Sequence, residues 1–170
     1  MSDLHGLDPN TPILVGVGTA GRPDVDGPEV EPIDLMVEAA RAALIDAGGR
    51  AGLVERVGSV AVPVGNWSYS DPGRLVADRL GATGASTVRV EIGVPQQTPV
   101  RVAVERIRSG ELGAALVVGG EAKATQLRRS RAGLEVHEVD QGSAEPDERW
   151  EPQGEIVSQA EIDAGMWQPV

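Results

Sequence analysis

Between residues 86 and 124 the alternation of apolar and polar positions predicts a strand, a turn, a helix and a second strand. Thr87–Ile92 places Val88, Val90 and Ile92 on one face and Thr87, Arg89 and Glu91 on the other, the period of a strand covered on one side. Val100, Ala103, Val104 and Ile107 recur at helical spacing and form one apolar face. Thr98-Pro99 reads as the opening of that helix, a hydroxyl cap followed by a proline whose missing N–H costs nothing there. Gly110 is placed to end it. Ala114–Val118 is an unbroken apolar run, as expected of a central parallel strand buried on both faces. Gly119-Gly120-Glu121 closes the run at the strand end where open α/β sheets carry their sites.

Upstream, the same reading finds a first strand over Pro12–Val17 and a helix over Ile33–Ala47, opened by Glu31-Pro32 and stopped by Gly48-Gly49. Ile33, Met36, Val37, Ala40, Leu44 and Ala47 make its apolar stripe. Val57–Val64 is a second strand, mostly β-branched. Gly65–Ser70 is a turn, and Asp71-Pro72 caps a helix that runs to Leu80 with Leu75 and Val76 inward. The order β-α-β-α-β-α-β, ending near Glu121, implies an α/β fold with a mainly parallel sheet and right-handed crossovers. Beyond Lys123 the periodicity stops. Arg128, Arg129 and Arg131 form a basic knot, and Gly133–Val170 is acidic, rich in Gly, Pro and Gln, with no sustained period.

Composition narrows the chemistry. The chain has no cysteine, which removes disulfides, thiolate metal sites and thiol catalysis together. Its net charge is −11, and residues 132–170 contribute ten acidic side chains against one basic. That balance argues against general nucleic-acid binding, which needs a basic face. Aromatic residues are 2% of the chain, with no Phe, so Val, Leu, Ile and Ala must build the core and no stacking platform for bases is available. The apolar run Ile13–Val17 is too short for a membrane span or a signal core, so the expected location is the cytoplasm.

Three constellations invite a functional reading. Gly16-x-Gly18-x-x-Gly21 matches the dinucleotide fingerprint, but Arg22–Pro28 follows it where a helix would have to open, so nucleotide binding is rejected. His5 and His137 are the only histidines, and His137 with Glu138 and Asp140 lacks a ligand geometry, so no metal is expected. Glu121 reads as a carboxylate holding backbone amides. Ser86, Thr87 and Thr98 have no base nearby to make nucleophiles of them.

The segment Ile107-Arg-Ser-Gly110 followed by Gly119-Gly120-Glu121, with Glu31–Leu44 and Asp71–Ala82 before it, resembles the N-terminal half of the thiolase superfamily. The likeness is greatest to thiolase-like proteins related to sterol-carrier-protein thiolases, of acetyl-CoA acetyltransferase type. It covers Pro12–Ala124. The polar stretch 1–11 is expected to be flexible, and the resemblance implies a thiolase-like α/β half-domain over 12–124 and an acidic loop-domain segment over 125–170 that stops in mid-excursion. It puts the family's nucleophilic cysteine near Gly93, where this chain has none, so no catalytic residue is expected. The second half, with the family's catalytic histidine, is absent from the sequence. Coenzyme A thioesters become possible substrates, with Arg128, Arg129 and Arg131 as candidates to hold the phosphates; no other cofactor is implied. The implied function is an acyl-CoA-related protein of fatty-acid or steroid metabolism without thiolase activity in this chain. The alternatives are a non-catalytic subunit of a heteromeric aldolase or thiolase-like complex, or a truncated gene product. Family members pair through the strand equivalent to Thr87–Ile92, which implies a homodimer or heteromer at that edge.

Overall fold

In the computed structural model, residues 8, 10–21, 29–49, 52–154 and 157–165 are described. The expectations for His5, for the loop Arg22–Pro28, and for most of the 1–11 segment lie outside them. Helix α1 (Pro32–Asp46) starts where the sequence places it, with the Glu31 N–H donating to the Asp34 carboxylate at 3.1 Å. Ile33, Met36, Val37 and Ala40 are buried, and Gly48 and Gly49 end the helix at positive φ. Strand β1 (Val57–Pro63) follows, then α2 (Pro72–Leu80), capped by Asp71, whose carboxylate accepts the Arg74 N–H at 2.9 Å. Strand β2 (Ser86–Val90), α3 (Gln97–Arg108) and β3 (Ala114–Val117) complete the alternation. The acidic segment adds α4 (Lys123–Arg131), β4 (Glu148–Trp150) and α5 (Gln159–Asp163).

The sheet has order β3-β1-β2-β4, and every pairing is parallel. The α/β class with a parallel sheet is therefore as the sequence predicts. Along β1, Val60 and Val62 face a core made with α1, α2 and Tyr69. Ala61 faces the opposite side, where Val88, Val90 and Trp150 gather and α3 lies over the sheet. Two helices thus cover one face and one covers the other. Burying side chains such as Ile33, Met36 and Val76 on the two-helix face is worth about 1.5–3 kcal/mol each.

Five expectations need correction. Pro12–Val17 pairs with no strand among the described residues, so the element order begins with α1. Gly16 and Gly18 press that segment onto α1: a Cβ on either would collide with the carbonyl oxygens of Ala43 or Ala39. Two of the three glycines that mimic a nucleotide fingerprint thus serve helix packing, whereas a Cβ on Gly21 would meet open space. Thr98 lies inside α3 rather than capping it, because the helix begins two residues earlier than expected, at Gln97 with Gln96 as its cap. Strand β3 is no central strand; it sits at the sheet edge and is only half-buried, with Val117 38% exposed. The edge predicted for self-pairing, Thr87–Ile92, is interior, because β4 of the same chain pairs with it at Val88↔Glu148 and Val90↔Trp150. Finally, the segment after Lys123 is less irregular than its composition predicts, since it holds two helices and a strand.

That segment is held by carboxylates on backbone amides. Glu31 accepts from both the Tyr69 hydroxyl (3.0 Å) and the Val139 N–H (2.9 Å). Glu138 accepts from the Ser68 N–H (2.7 Å) and hydroxyl (2.6 Å), and Asp147 accepts from the Thr87 N–H (2.8 Å). Gln141 exchanges two hydrogen bonds with the Asp71 backbone, at 3.0 and 2.7 Å. An acidic, weakly apolar stretch gains an ordered path this way because each buried amide it satisfies would otherwise be costly. Burial pushes the Asp71 carboxyl above its ordinary value and the Tyr69 phenol far beyond titration.

Candidate functional site

Parallel strands that all end on one side gather their following loops there, and the loops after β1, β2, β3 and β4 form two clefts. The first, about 730 Å³, lies between Gly93, Val94, Pro95, Thr98 and Arg101 on one wall and Trp150–Gly154 on the other. The second, about 290 Å³, is lined by Pro63–Gly65, Gln96 and Val117–Glu121. Gly93–Gln96, the connection from β2 to the first turn of α3, contributes to both.

Gly93 has φ +93°, a conformation that side-chain-bearing residues rarely adopt. At the position where the resemblance puts a nucleophile, the chain therefore has both no side chain and a backbone that favours none. Around it, Arg101 is committed to Glu105 at 2.7 Å, and Arg149 to Glu91 at 2.7 Å and Glu145 at 3.1 Å. No described histidine or hydroxyl–base pair lines either cleft.

Glu121 behaves as its sequence context predicts. Its carboxylate accepts the Asn66 N–H at 2.7 Å and so ties the loop after β3 to the loop after β1. The Trp67 indole N–H donates to the Gly120 carbonyl at 3.2 Å and strengthens the same tie. A Cβ on Gly65 would overlap the Glu121 carboxylate and the Trp67 ring nitrogen, so a side chain there would have to displace this tie. Gly120 is held equally close to α1, where a Cβ would meet Met36 at 2.9 Å.

The three arginines are elsewhere. Arg128, Arg129 and Arg131 occupy the last turn of α4, and none lines the two clefts. Arg129 pairs with Glu29 at 3.0 Å and donates to the Glu135 carbonyl. The buried Nε of Arg128 has no partner among the described residues. Glu29 also accepts the His137 N–H at 2.9 Å, and this bond together with Arg129 holds its carboxyl below the usual range. His137 lies between Glu29 and Glu135, and no group of acidic and imidazole side chains suited to a metal occurs among the described residues. No helix among them is long and apolar enough to cross a membrane.

Sequence reasoning missed the second wall of the larger cleft. Trp150 reaches it because β4 joins the sheet, a pairing of three residues that no local pattern announces.

No family model and no curated protein matches the chain. Among solved structures the chain is similar to a monomeric SCP2-thiolase-like protein type 1 from Mycobacterium smegmatis. The identity is 28%, the TM-score 0.49, and the match covers 75% of this chain. The chain spans 31% of that protein's length.

Proposed function

We propose that this chain is a thiolase-like, acyl-CoA-related protein of acetyl-CoA acetyltransferase type that has no thiolase activity of its own. One observation carries the reading. The motif Ile107-Arg-Ser-Gly110 closes α3, Gly119-Gly120-Glu121 follows β3, and the loop before α3 opens onto a cleft lined by Gly93, near which the resemblance puts the nucleophile. Thiolase chemistry needs a thiolate to take the acyl group from the thioester, and a chain without cysteine has nothing to acylate. Acyl-CoA remains the ligand or substrate class of this reading, without acyl transfer to a thiol, in fatty-acid or steroid metabolism in the cytoplasm.

In this reading Arg128, Arg129 and Arg131 hold the phosphates of coenzyme A. Three basic side chains in the last turn of α4 support that assignment. Glu29 and Glu135 compete for Arg129 and would have to yield.

Two measurements test the proposal. Acetoacetyl-CoA thiolysis by the purified protein should be absent, and turnover above the uncatalysed rate would refute the inactive assignment. Calorimetric titration with acetyl-CoA should show saturable binding that the triple change Arg128→Ala, Arg129→Ala, Arg131→Ala abolishes. No heat at millimolar ligand would refute the acyl-CoA role.

A second reading, a non-catalytic subunit of a heteromeric complex, is favoured by one feature. The apolar face of α3 is left uncovered, with Val100 54% exposed and Ala103, Val104 and Ile107 only half-buried. Recovery from its native source at a fixed ratio with another protein supports that reading, and recovery as a lone monomer refutes it.

A further inference from the structure

Asp71, Thr87 and Asp147 come from separate elements and meet where β4 joins the sheet. Asp71, the cap of α2, is 3% exposed, and Thr87 of β2 is wholly buried. Asp147, the residue before β4, belongs to the acidic segment and is half-exposed. The Thr87 hydroxyl oxygen lies 3.0 Å from Asp71 Oδ2 and 3.3 Å from Asp147 Oδ2. It also accepts the Asp147 N–H at 3.1 Å. Gly73 of α2 is seated on this side chain, where a Cβ would meet the Thr87 Cβ at 2.9 Å. The hydroxyl oxygen is therefore held in place while its proton can rotate.

A hydroxyl has one proton, and here two carboxylates compete for it. Asp147 Oδ2 already accepts the Thr87 N–H at 2.8 Å and the Arg74 guanidinium at 3.1 Å. Asp71 Oδ1 accepts the Arg74 N–H at 2.9 Å, but its Oδ2 has only the Thr87 hydroxyl. While Asp71 is ionised the proton therefore points to it, and Thr87 and Asp147 face each other oxygen to oxygen. A proton from solvent on Asp71 Oδ2 reverses this. Asp71 then donates to the Thr87 oxygen, whose two lone pairs serve it and the Asp147 N–H, and the Thr87 proton turns to Asp147. Thr87 keeps its own proton throughout. The charged groups facing Asp71 are Arg74 on its own helix and Asp147 across Thr87. Arg89 of β2 is turned to Glu91 and the Ser70 carbonyl, and the neutral Gln141 bonds the Asp71 backbone. Burial raises the Asp71 carboxyl and the Asp147 charge adds to the rise, whereas the Arg106 bond lowers Glu148. Asp71 thus takes up its proton before the Arg106–Glu148 pair is lost.

We propose that the Thr87 hydroxyl is a two-position switch, which holds Asp71 near neutral pH and turns to Asp147 in mild acid, tightening β4 and with it the Trp150 wall of the larger cleft. The link to the cleft is short. Asp147 precedes Glu148–Trp150 directly, and Trp150–Gly154 form the wall. With only three residues in β4, one added bond is a sizeable part of what holds it. The sign follows from linkage: docking the acidic segment buries Asp71 and brings the Asp147 charge to it, so protonating Asp71 favours the docked state. Mild acid firms this wall, the reverse of what acid does through Glu148. The switch is independent of whether the chain binds acyl-CoA.

The test follows the full chain by NMR from neutral pH to about pH 4, reading the carboxyl carbon shifts of Asp71 and Asp147. The second readout is the exchange protection of the Glu91 amide, which donates to the Trp150 carbonyl at 2.9 Å and so reports on β4. Corrected for intrinsic exchange, that protection should rise about threefold to tenfold, with the midpoint of Asp71. Asp71→Asn keeps a helix cap and gives Thr87 a permanent donor, so it should hold Glu91 at its acid level over the whole range. Thr87→Ser should retain the coupling and Thr87→Val lose it. A merely structural role for these residues would change the level of protection without tying it to the Asp71 midpoint. Flat Glu91 protection through that midpoint would overturn the proposal, as would Asp147 taking up its proton before Asp71. A pH response in Asp71→Asn equal to the wild type's would also overturn it, and this variant decides the matter even where Thr87→Val does not fold.

Discussion

The bidentate pair between Arg106 of α3 and Glu148 of β4 decides whether the edge of β2 stays covered, so Glu148→Ala is the most informative single change. Its two bonds measure 2.7 and 2.9 Å, and the Glu148 carboxylate also accepts the Trp150 indole N–H at 3.0 Å. The side chains are 23% and 33% exposed, so neither limiting case applies. Charge-assisted bonds in the interior are worth about 1.5–3 kcal/mol each, and exposed ion pairs about 0.2–1. A pair screened by water on one side falls between, and the expected loss is about 1–2 kcal/mol. Arg106 keeps a weaker contact to Glu111 at 3.4 Å, which limits the cost of leaving its charge unpaired. The assay is urea unfolding followed by tryptophan fluorescence on Glu148→Ala, Arg106→Ala and the double variant. A coupling energy of about 1 kcal/mol is expected, shrinking as salt is raised. Because β4 is only three residues long, its release should bare β2 and produce concentration-dependent self-association in sedimentation. Coupling below about 0.3 kcal/mol at low salt, with a monomeric double variant, would refute the claim that this pair holds the strand.

Two further outcomes follow from the packing and the charges. The Arg106 bond holds the Glu148 carboxyl below its ordinary value near 4.5, so its contribution is full above that value and is lost as pH falls through the lower, folded one. Asp71 has the opposite sign, since burial raises it and protonation in acid relieves a cost. Urea midpoints followed from neutral pH to about pH 3 should fall more steeply for the wild type than for Glu148→Gln, and parallel curves would contradict the assignment. In the core, Ile33→Ala should cost about 2–5 kcal/mol in urea unfolding, because Ile33 is wholly buried between α1 and β1 and its neighbours cannot close the gap. A loss under about 1 kcal/mol would mean that the helix is held by something other than this contact.

Local chemistry was enough to read most of the chain. Proline and a carboxylate start α1 and α2, positive-φ glycines end them, and the β-branched run Val57–Val62 marks β1. The same holds for Glu121, whose place after a strand and two glycines anticipates a carboxylate that binds amides. These features depend on neighbours within a few residues, which the sequence states directly. Composition alone also removed the thiol nucleophile, since no fold can supply a side chain the chain lacks.

Tertiary structure decided what depends on distant partners. Ala114–Val118 is apolar enough for a central strand, yet β3 lies at the edge, because centrality is set by what pairs alongside and not by the strand's own residues. Ile13–Val17 has strand composition but no ladder to join among the described residues. Thr87–Ile92 reads as an open edge until Glu148–Trp150, about sixty residues later, closes it. Hydrogen bonds between strands and carboxylate–amide ties across such separations leave no periodic mark. They determine which apolar surfaces are covered, so that Val117 at the edge strand is 38% exposed while Val60 and Val62 of the interior strand are buried.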